Sequence, residues 1–417
     1  MTRKIRPLRL AGALVATSAL VALAGCSNAA PQPAEASLDF TFTYPSNQNS
    51  PYETLAELYM DANPDAEVTL NPIPADSYDA VLNTQLQAGN ASDVILATPG
   101  SGTPIALLSL ADASLIAPLG GIGADLIPDT TAALFYTGDD QWGLPQDISI
   151  TGTVFNSSAG VDYPRDESGL MSTCASLDDG VSMFALAGSI PINTGLAAVS
   201  VAATRVYAEN PDWDAQRAAG EVTFADTPGW RDTLQLMVDM QTGGCYQPGA
   251  EGGGFDAIVM GIGQGASLSA FLPGGAATDL AGEGSTLVVE PFPGPDGSEP
   301  FVFVSSDFAF AINAKSPRQE AAQAFLSWFA EPENAQAFAA AAGSLPVTGV
   351  EDLDLAGTPY EPVASLIEDG SYTALPMTVW TSQDVFLVLG SGVQGLLTGQ
   401  KTVDQVLAEL DAAWDAS

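Results

Sequence analysis

No histidine occurs among the 417 residues, which excludes Ser-His-Asp catalysis, imidazole proton shuttling and the commonest zinc ligand sets together. Chemistry is left to carboxylates, hydroxyls, side-chain amides and three cysteines. With 50 acidic residues, some carboxylate pair is always available for glycoside hydrolysis, but no spacing marks one. Asp352, Asp354 and Pro295-Asp296-Gly297 lack the spacing of a calcium loop, so neither a metal nor another cofactor is expected. More informative are short polar runs set against apolar ones. Asn47-Gln48-Asn49 closes an alternating segment, Gln146-Asp147 follows Trp142, and Ser305-Ser306-Asp307 interrupts the apolar run 301–312. The last is either an edge bulge or a crossover facing a ligand.

The elements that must position these residues begin after a short N-terminal signal. Arg3, Lys4, Arg6 and Arg9 precede an apolar stretch over 10–22, too short for a mature membrane-spanning helix and laid out as a secretory signal. It ends in Leu23-Ala24-Gly25-Cys26, which resembles the lipobox of bacterial lipoproteins. That resemblance implies cleavage before Cys26 and lipidation of its thiol, with acyl chains holding the protein at a membrane. A plain secretory signal with an incidental cysteine is the other reading. Residues 26–37 then form a flexible tether without a periodic apolar face.

The chain carries 11 Lys plus Arg against 50 Asp plus Glu, a net charge of −39. Such a surface repels nucleic acid and anionic headgroups and disfavours phosphate as the main ligand. Most of the acids are expected to form a solvated, aggregation-resistant face. Lipidation of Cys26 leaves Cys174 and Cys245, and an even pair in an exported chain most simply means a disulfide, with two free buried thiols as the alternative.

Periodicity predicts a strand at 38–44, a helix from Tyr52 to Asn63-Pro64, a strand at 67–71, a helix at 77–88 and a buried strand at 93–97. This strand-helix alternation is doubly wound α/β, with ligands expected beyond the strand C-termini, where 47–49 and 98–101 lie. Further on, a strand is expected at 148–156, a helical region starting near Cys174-Ala175-Ser176-Leu177-Asp178-Asp179, a helix from Thr227 to Met240, and a strand or helix around 258–260. Two strands flank Ser305-Ser306-Asp307, and helices follow at 319–329, 332–341, 386–398 and 402–414. Trp213, Trp230, Trp328 and Trp414 are expected in the core.

Taken in order, several segments resemble the extracellular solute-binding proteins of sugar-type ABC importers, the class that includes maltose-binding proteins. They are Tyr52-Glu53-Thr54-Leu55 with Asn63-Pro64-Asp65, Trp142-Gly143-Leu144-Pro145-Gln146-Asp147, Val154-Phe155-Asn156, Pro332-Glu333, Gly343-Ser344-Leu345-Pro346 and Gly399-Gln400-Lys401-Thr402-Val403. The usual helix start of the second lobe is replaced by the Cys174–Asp179 region, and the usual glycine motif survives only loosely as Gly265-Ala266-Ser267-Leu268. The resemblance implies a two-lobed type II periplasmic-binding-protein fold closing by a hinge. Its first lobe is placed at 38–149 plus 306–345 and its second at 150–305 plus 346–417.

It further implies a monomer, lipid-anchored outside a bacterial cell, that captures a carbohydrate for an ABC permease and is not an enzyme. A sugar site needs flat faces for C–H surfaces and a few polar groups for hydroxyls. The ligand-binding candidates are Asn47, Gln48, Asn49, Ser101, Trp142, Gln146, Asp147, Ser305, Ser306, Asp307, Trp380 and Gln383. Turn and cap roles compete for the polar ones, and core packing for both tryptophans. The acidity, Asp147 and Asp307 also admit a cationic ligand such as a polyamine. A surface glycosidase is the remaining alternative.

Overall fold

The alternating segment at the start forms the strand Phe40–Ser46, whose Phe40, Phe42 and Tyr44 turn into the core. The structure is a computed structural model that describes residues 37–46, 51–74, 77–101, 103–127, 129–282, 284–342, 344–347 and 353–417. Cys26 and the candidates Asn47, Gln48 and Asn49 lie outside the described residues. Phe40–Ser46 pairs in parallel with Val68–Pro74 on one side and Val94–Ala97 on the other. Ala309–Asn313 returns antiparallel beside Val94–Ala97 and also pairs with Ile116–Ala117 and Leu144–Pro145, which completes a six-stranded sheet. Helices Tyr52–Ala62, Tyr78–Ala88, Gln319–Phe329 and Pro332–Ala342 cover it, placing Leu55, Tyr59, Leu82, Phe325, Phe329 and Phe338 in one core. Apolar residues three and four apart put these side chains on one helix face, so burying that face drives the packing.

A second sheet has the order Ser182–Ala185, Ser267–Ala270, Thr153–Asn156, Leu287–Glu290. Its core is aromatic: Trp213, Phe224, Trp230, Trp380 and Trp414 make edge-on contacts with one another. Such pairs favour tilted or edge-to-face geometry because the ring face is negative and its rim positive. Trp328 packs part-buried against the first core. Helix Glu167–Ser176 is tied to the chain after Pro228–Thr242 by the disulfide Cys174–Cys245, across 71 residues of sequence.

Between these sheets stands a third, of Tyr372–Ala374, Val302–Ser305 and Ser149–Thr151. Two of its strands carry the chain across: Ser149–Thr151 follows Leu144–Pro145 of the first sheet, and Val302–Ser305 precedes Ala309–Asn313. Ile148 also exchanges backbone hydrogen bonds with Leu345. The fold is thus α/β with two lobes.

Two expectations are corrected. Residues 148–156 form not one strand but two, in different sheets, broken at Gly152. A Cβ at Gly152 would lie 2.4 Å from the Glu290 carbonyl oxygen, so only glycine lets the chain pass there. The region from Cys174 to Asp179 is a helix end. The helix starts at Glu167 and is capped by Asp166, whose carboxylate accepts from the Gly169 N–H at 2.7 Å. Around 258–260 the chain is helical, as Phe255–Gly263.

Candidate ligand-binding cleft

Where the strand Val302–Ser305 leaves the third sheet, Ser305, Ser306, Asp307 and Phe308 bridge to the first sheet and line one wall of a cavity of about 410 Å³. The first lobe adds Thr98, Pro99 and Thr103, from the loop after Val94–Ala97. Opposite come Thr151, the opening turns of the helix Pro191–Ala202 (Ile192, Asn193, Leu196), Phe255 and the Leu272-Pro273 pair. Leu375, Met377 and Thr378 complete it. At Gly100, whose φ is +76°, a Cβ would sit 1.8 Å from the Thr378 carbonyl oxygen, so a glycine admits the 375–378 segment against the first-lobe loop.

The crossover is held from below. Asp147 Oδ1 accepts from the Asp307 N–H and faces the Ser306 hydroxyl, each at 3.0 Å, and Ser306 also contacts the Phe308 carbonyl oxygen. Gln146 takes the Tyr52 hydroxyl on Oε1 at 2.9 Å and donates its backbone N–H to Phe308. Burial pushes the Asp147 carboxyl well above the usual range and the charge of Asp307 adds to this, while hydrogen bonds from Asp307, Ser306 and Gln146 pull it back. Asp147 borders a void of about 20 Å³ beneath the crossover. Its geometry is that of a bracket for Ser306 and Asp307.

Five of the sequence candidates therefore meet here, and Ser305, Ser306 and Asp307 line the cavity. Ser101 lies two residues before Thr103 in the same loop, its carbonyl taken by the Ser109 hydroxyl at 3.2 Å. Trp142 is part-buried against the first core, its indole N–H without a partner among the described residues. Trp380 is fully buried, its indole N–H donating to Asp214 at 2.9 Å. Gln383 opens the helix Gln383–Leu397, one residue after the capping Ser382. None of these four lines the cavity. Its aromatic faces are Phe255 and Phe308, which the sequence reading passed over. Phe308 directly follows the polar triplet, and Phe255 opens a helix after a glycine run, so position, not residue type, was the available signal.

The sequence profile of the bacterial extracellular solute-binding proteins matches residues 54–354. The chain belongs to this family. No curated protein matches it in sequence. Solved solute-binding proteins share its fold. The GacH receptor of Streptomyces glaucescens, solved unliganded and with acarbose, superposes with a TM-score of 0.72 at 18% identity, covering 91% of this chain and 97% of that one. RafE in complex with raffinose gives 0.72 at 19%, covering 91% and 99%. A chitin oligosaccharide binding protein gives 0.73 at 19%, covering 90% and 98%. In this solute-binding protein the charged residue lining the cavity, among those described, is Asp307, an acid and not a base. No described helix is long and apolar enough to cross a membrane.

Proposed function

We propose that the mature chain captures a carbohydrate between its lobes and delivers it to an ABC permease from the outer face of a bacterial membrane. The observation that carries this reading is the cavity at the crossover, where a family of capture proteins would hold its solute. Ser305, Ser306 and Asp307 line the same cavity as Phe255 and Phe308, and such a mixture of polar groups and rings suits sugar hydroxyls and C–H faces. Raffinose and acarbose, bound by proteins of the same fold, support the class of ligand.

The lobes are assigned to 38–149 plus 306–345 and 150–305 plus 346–417, because the strands of the first sheet come from the former and the aromatic core from the latter, although Val347 and Ala374 reach into the first core. Asn47, Gln48 and Asn49, outside the described residues, are kept as ligand-binding candidates on their sequence position directly after the strand Phe40–Ser46. Lipidation of Cys26 would anchor the monomer, and about a dozen tether residues would keep it near its permease. The role is capture without turnover, a reading supported by the family's being one of solute-binding proteins.

Titration calorimetry of residues 27–417 against mono- and oligosaccharides tests the assignment. One saturable site is expected. A flat response to the whole panel overturns it, and salt-sensitive binding of polyamines alone would transfer the site to cationic ligands.

A further inference from the structure

In the antiparallel pairing of Val302–Ser305 with Ser149–Thr151, Ser305 stands opposite Ser149 and Phe303 opposite Thr151. Side chains alternate along a strand, so Ser149, Thr151, Phe303 and Ser305 share one face of the third sheet, while Ile150 and Val304 point the other way into a separate core. Three of these four carry hydroxyls, and Ser149, Thr151 and Ser305 are all more than nine-tenths buried, at 2%, 2% and 7% of full exposure. None of the three hydroxyls has a hydrogen-bond partner among the described residues. Thr151 and Ser305 line the cavity, whereas Ser149, across the ladder from Ser305, does not.

The other polar side chains lining the cavity are engaged within the protein. Asn193 spends its Oδ1 on the Ala187 N–H and its Nδ2 on the Phe271 carbonyl. The Thr98 and Thr103 hydroxyls bond to each other, and the Thr378 hydroxyl donates to the Leu375 carbonyl. The Ser306 hydroxyl is taken by Asp147 and the Phe308 carbonyl, and Asp307 interacts with Asp147 through its backbone N–H and its charge. Thr151 and Ser305 are therefore the exception. A hydroxyl buried without a partner costs folding free energy, so two of them kept on a cavity wall point to a solute that completes their bonds.

We infer that Thr151 and Ser305 read the solute, each hydrogen-bonding a neutral hydroxyl of one sugar ring, and that Thr151 is a specificity-determining residue. A protein hydroxyl both donates and accepts, so it matches a solute hydroxyl in either sense. As diagonal neighbours across the ladder the two lie roughly 7 Å apart at Cβ, a span that one sugar ring covers. The inference rests on the carbohydrate reading and names the groups that select within that class.

The test is calorimetry of residues 27–417 with the tightest-binding sugar of the panel and its monodeoxy analogues, on wild type, Thr151→Val, Ser305→Ala and Ser149→Ala, with thermal unfolding of each unliganded protein. Thr151→Val and Ser305→Ala are each expected to weaken sugar binding roughly five- to tenfold. Their unfolding midpoints are expected to stay or rise, because each replaces an unpartnered buried hydroxyl with an apolar group. Ser149→Ala is expected to behave alike in stability and to bind the sugar unchanged. One monodeoxy analogue should lose a similar factor on wild type and bind Thr151→Val as tightly as the parent sugar does. Unchanged affinity in Thr151→Val or in Ser305→Ala overturns the inference and leaves the carbohydrate reading standing. So does a lowered midpoint in either, which would make the hydroxyl structural, or an equal loss in Ser149→Ala, which would assign the effect to the sheet and not to the cavity wall. Deoxy analogues that all lose as much on Thr151→Val as on wild type overturn the direct contact. A wild-type protein that binds no sugar overturns both readings together.

Discussion

Asp214 takes both the Tyr207 hydroxyl, at 2.8 Å, and the Trp380 indole N–H, at 2.9 Å, on the same carboxylate oxygen. Burial pushes its carboxyl up to about 7, with the two hydrogen bonds opposing the shift. An unfolded chain releases that proton near 3.8, so between about pH 4 and 7 the folded state binds more protons than the unfolded one. Stability is therefore present at the acid side of this window and falls as pH rises through it. Asp214→Asn keeps an oxygen for both donors and removes the titration. It is expected to lessen the pH slope of unfolding free energy by up to about 1.4 kcal/mol per pH unit, measured by denaturant titration at several pH values; an unchanged slope contradicts the account. At the crossover, Ser306→Ala takes a hydroxyl from buried Asp147 and is expected to cost about 1–3 kcal/mol of stability and to weaken ligand binding. Equal stability and affinity would show that the bracket is dispensable. The triplet Ser305-Ser306-Asp307 was legible in the sequence because polar residues inside an apolar run must face something polar. Trp380 was not, because residue type gives no sign of whether a flat ring faces ligand or core.

At the scale of elements, the cavity depends on one close helix pair. Pro191–Ala202 supplies Ile192, Asn193 and Leu196 and lies against Gln383–Leu397, where a Cβ at Gly390 would meet the Pro191 carbonyl oxygen at 1.9 Å. The Thr194 hydroxyl donates to the Gly390 carbonyl at 2.9 Å, which fixes their register. Gly390→Ala must push the helices apart, at an expected cost of about 1–3 kcal/mol and with weaker binding, since the cavity wall moves with the helix. Thermal unfolding and calorimetry on the variant check both, and a wild-type midpoint would refute the contact. First-lobe elements were readable because their helices bury one face and leave the other in water, which gives the 3.6-residue period. Pro191–Ala202 is buried from Asn193 to Ala202 and Ser182–Ala185 at every position, so neither leaves a period to detect. The break at Gly152 was invisible for a different reason: it is set by Glu290, which is far away in sequence.

For the whole molecule, charge and lobe architecture give separate expectations. The net charge of −39 leaves the folded chain repelling itself, although Arg205 pairs with Glu167, Arg217 with Asp411 and Asp415, and Arg165 with Glu290. Sodium chloride screens exposed charges beyond roughly 10 Å at 0.1 M, so the unfolding midpoint is expected to rise steadily from low salt to moderate salt. A falling midpoint in differential scanning fluorimetry would mean that the few ion pairs outweigh the repulsion. Lobe architecture matters more for function, because the cavity is assembled from the crossover and both lobes and can gain contacts on both sides only where all three meet. The most direct test is a crystal structure of residues 27–417 with the tightest-binding sugar from the panel. The sugar is predicted in contact with Ser305, Ser306 or Asp307 on one side and with Phe255 or Leu196 on the other. A sugar seated instead in the separate groove of about 380 Å³ beside Tyr246 and Gln247, with the crossover cavity empty, would contradict the account.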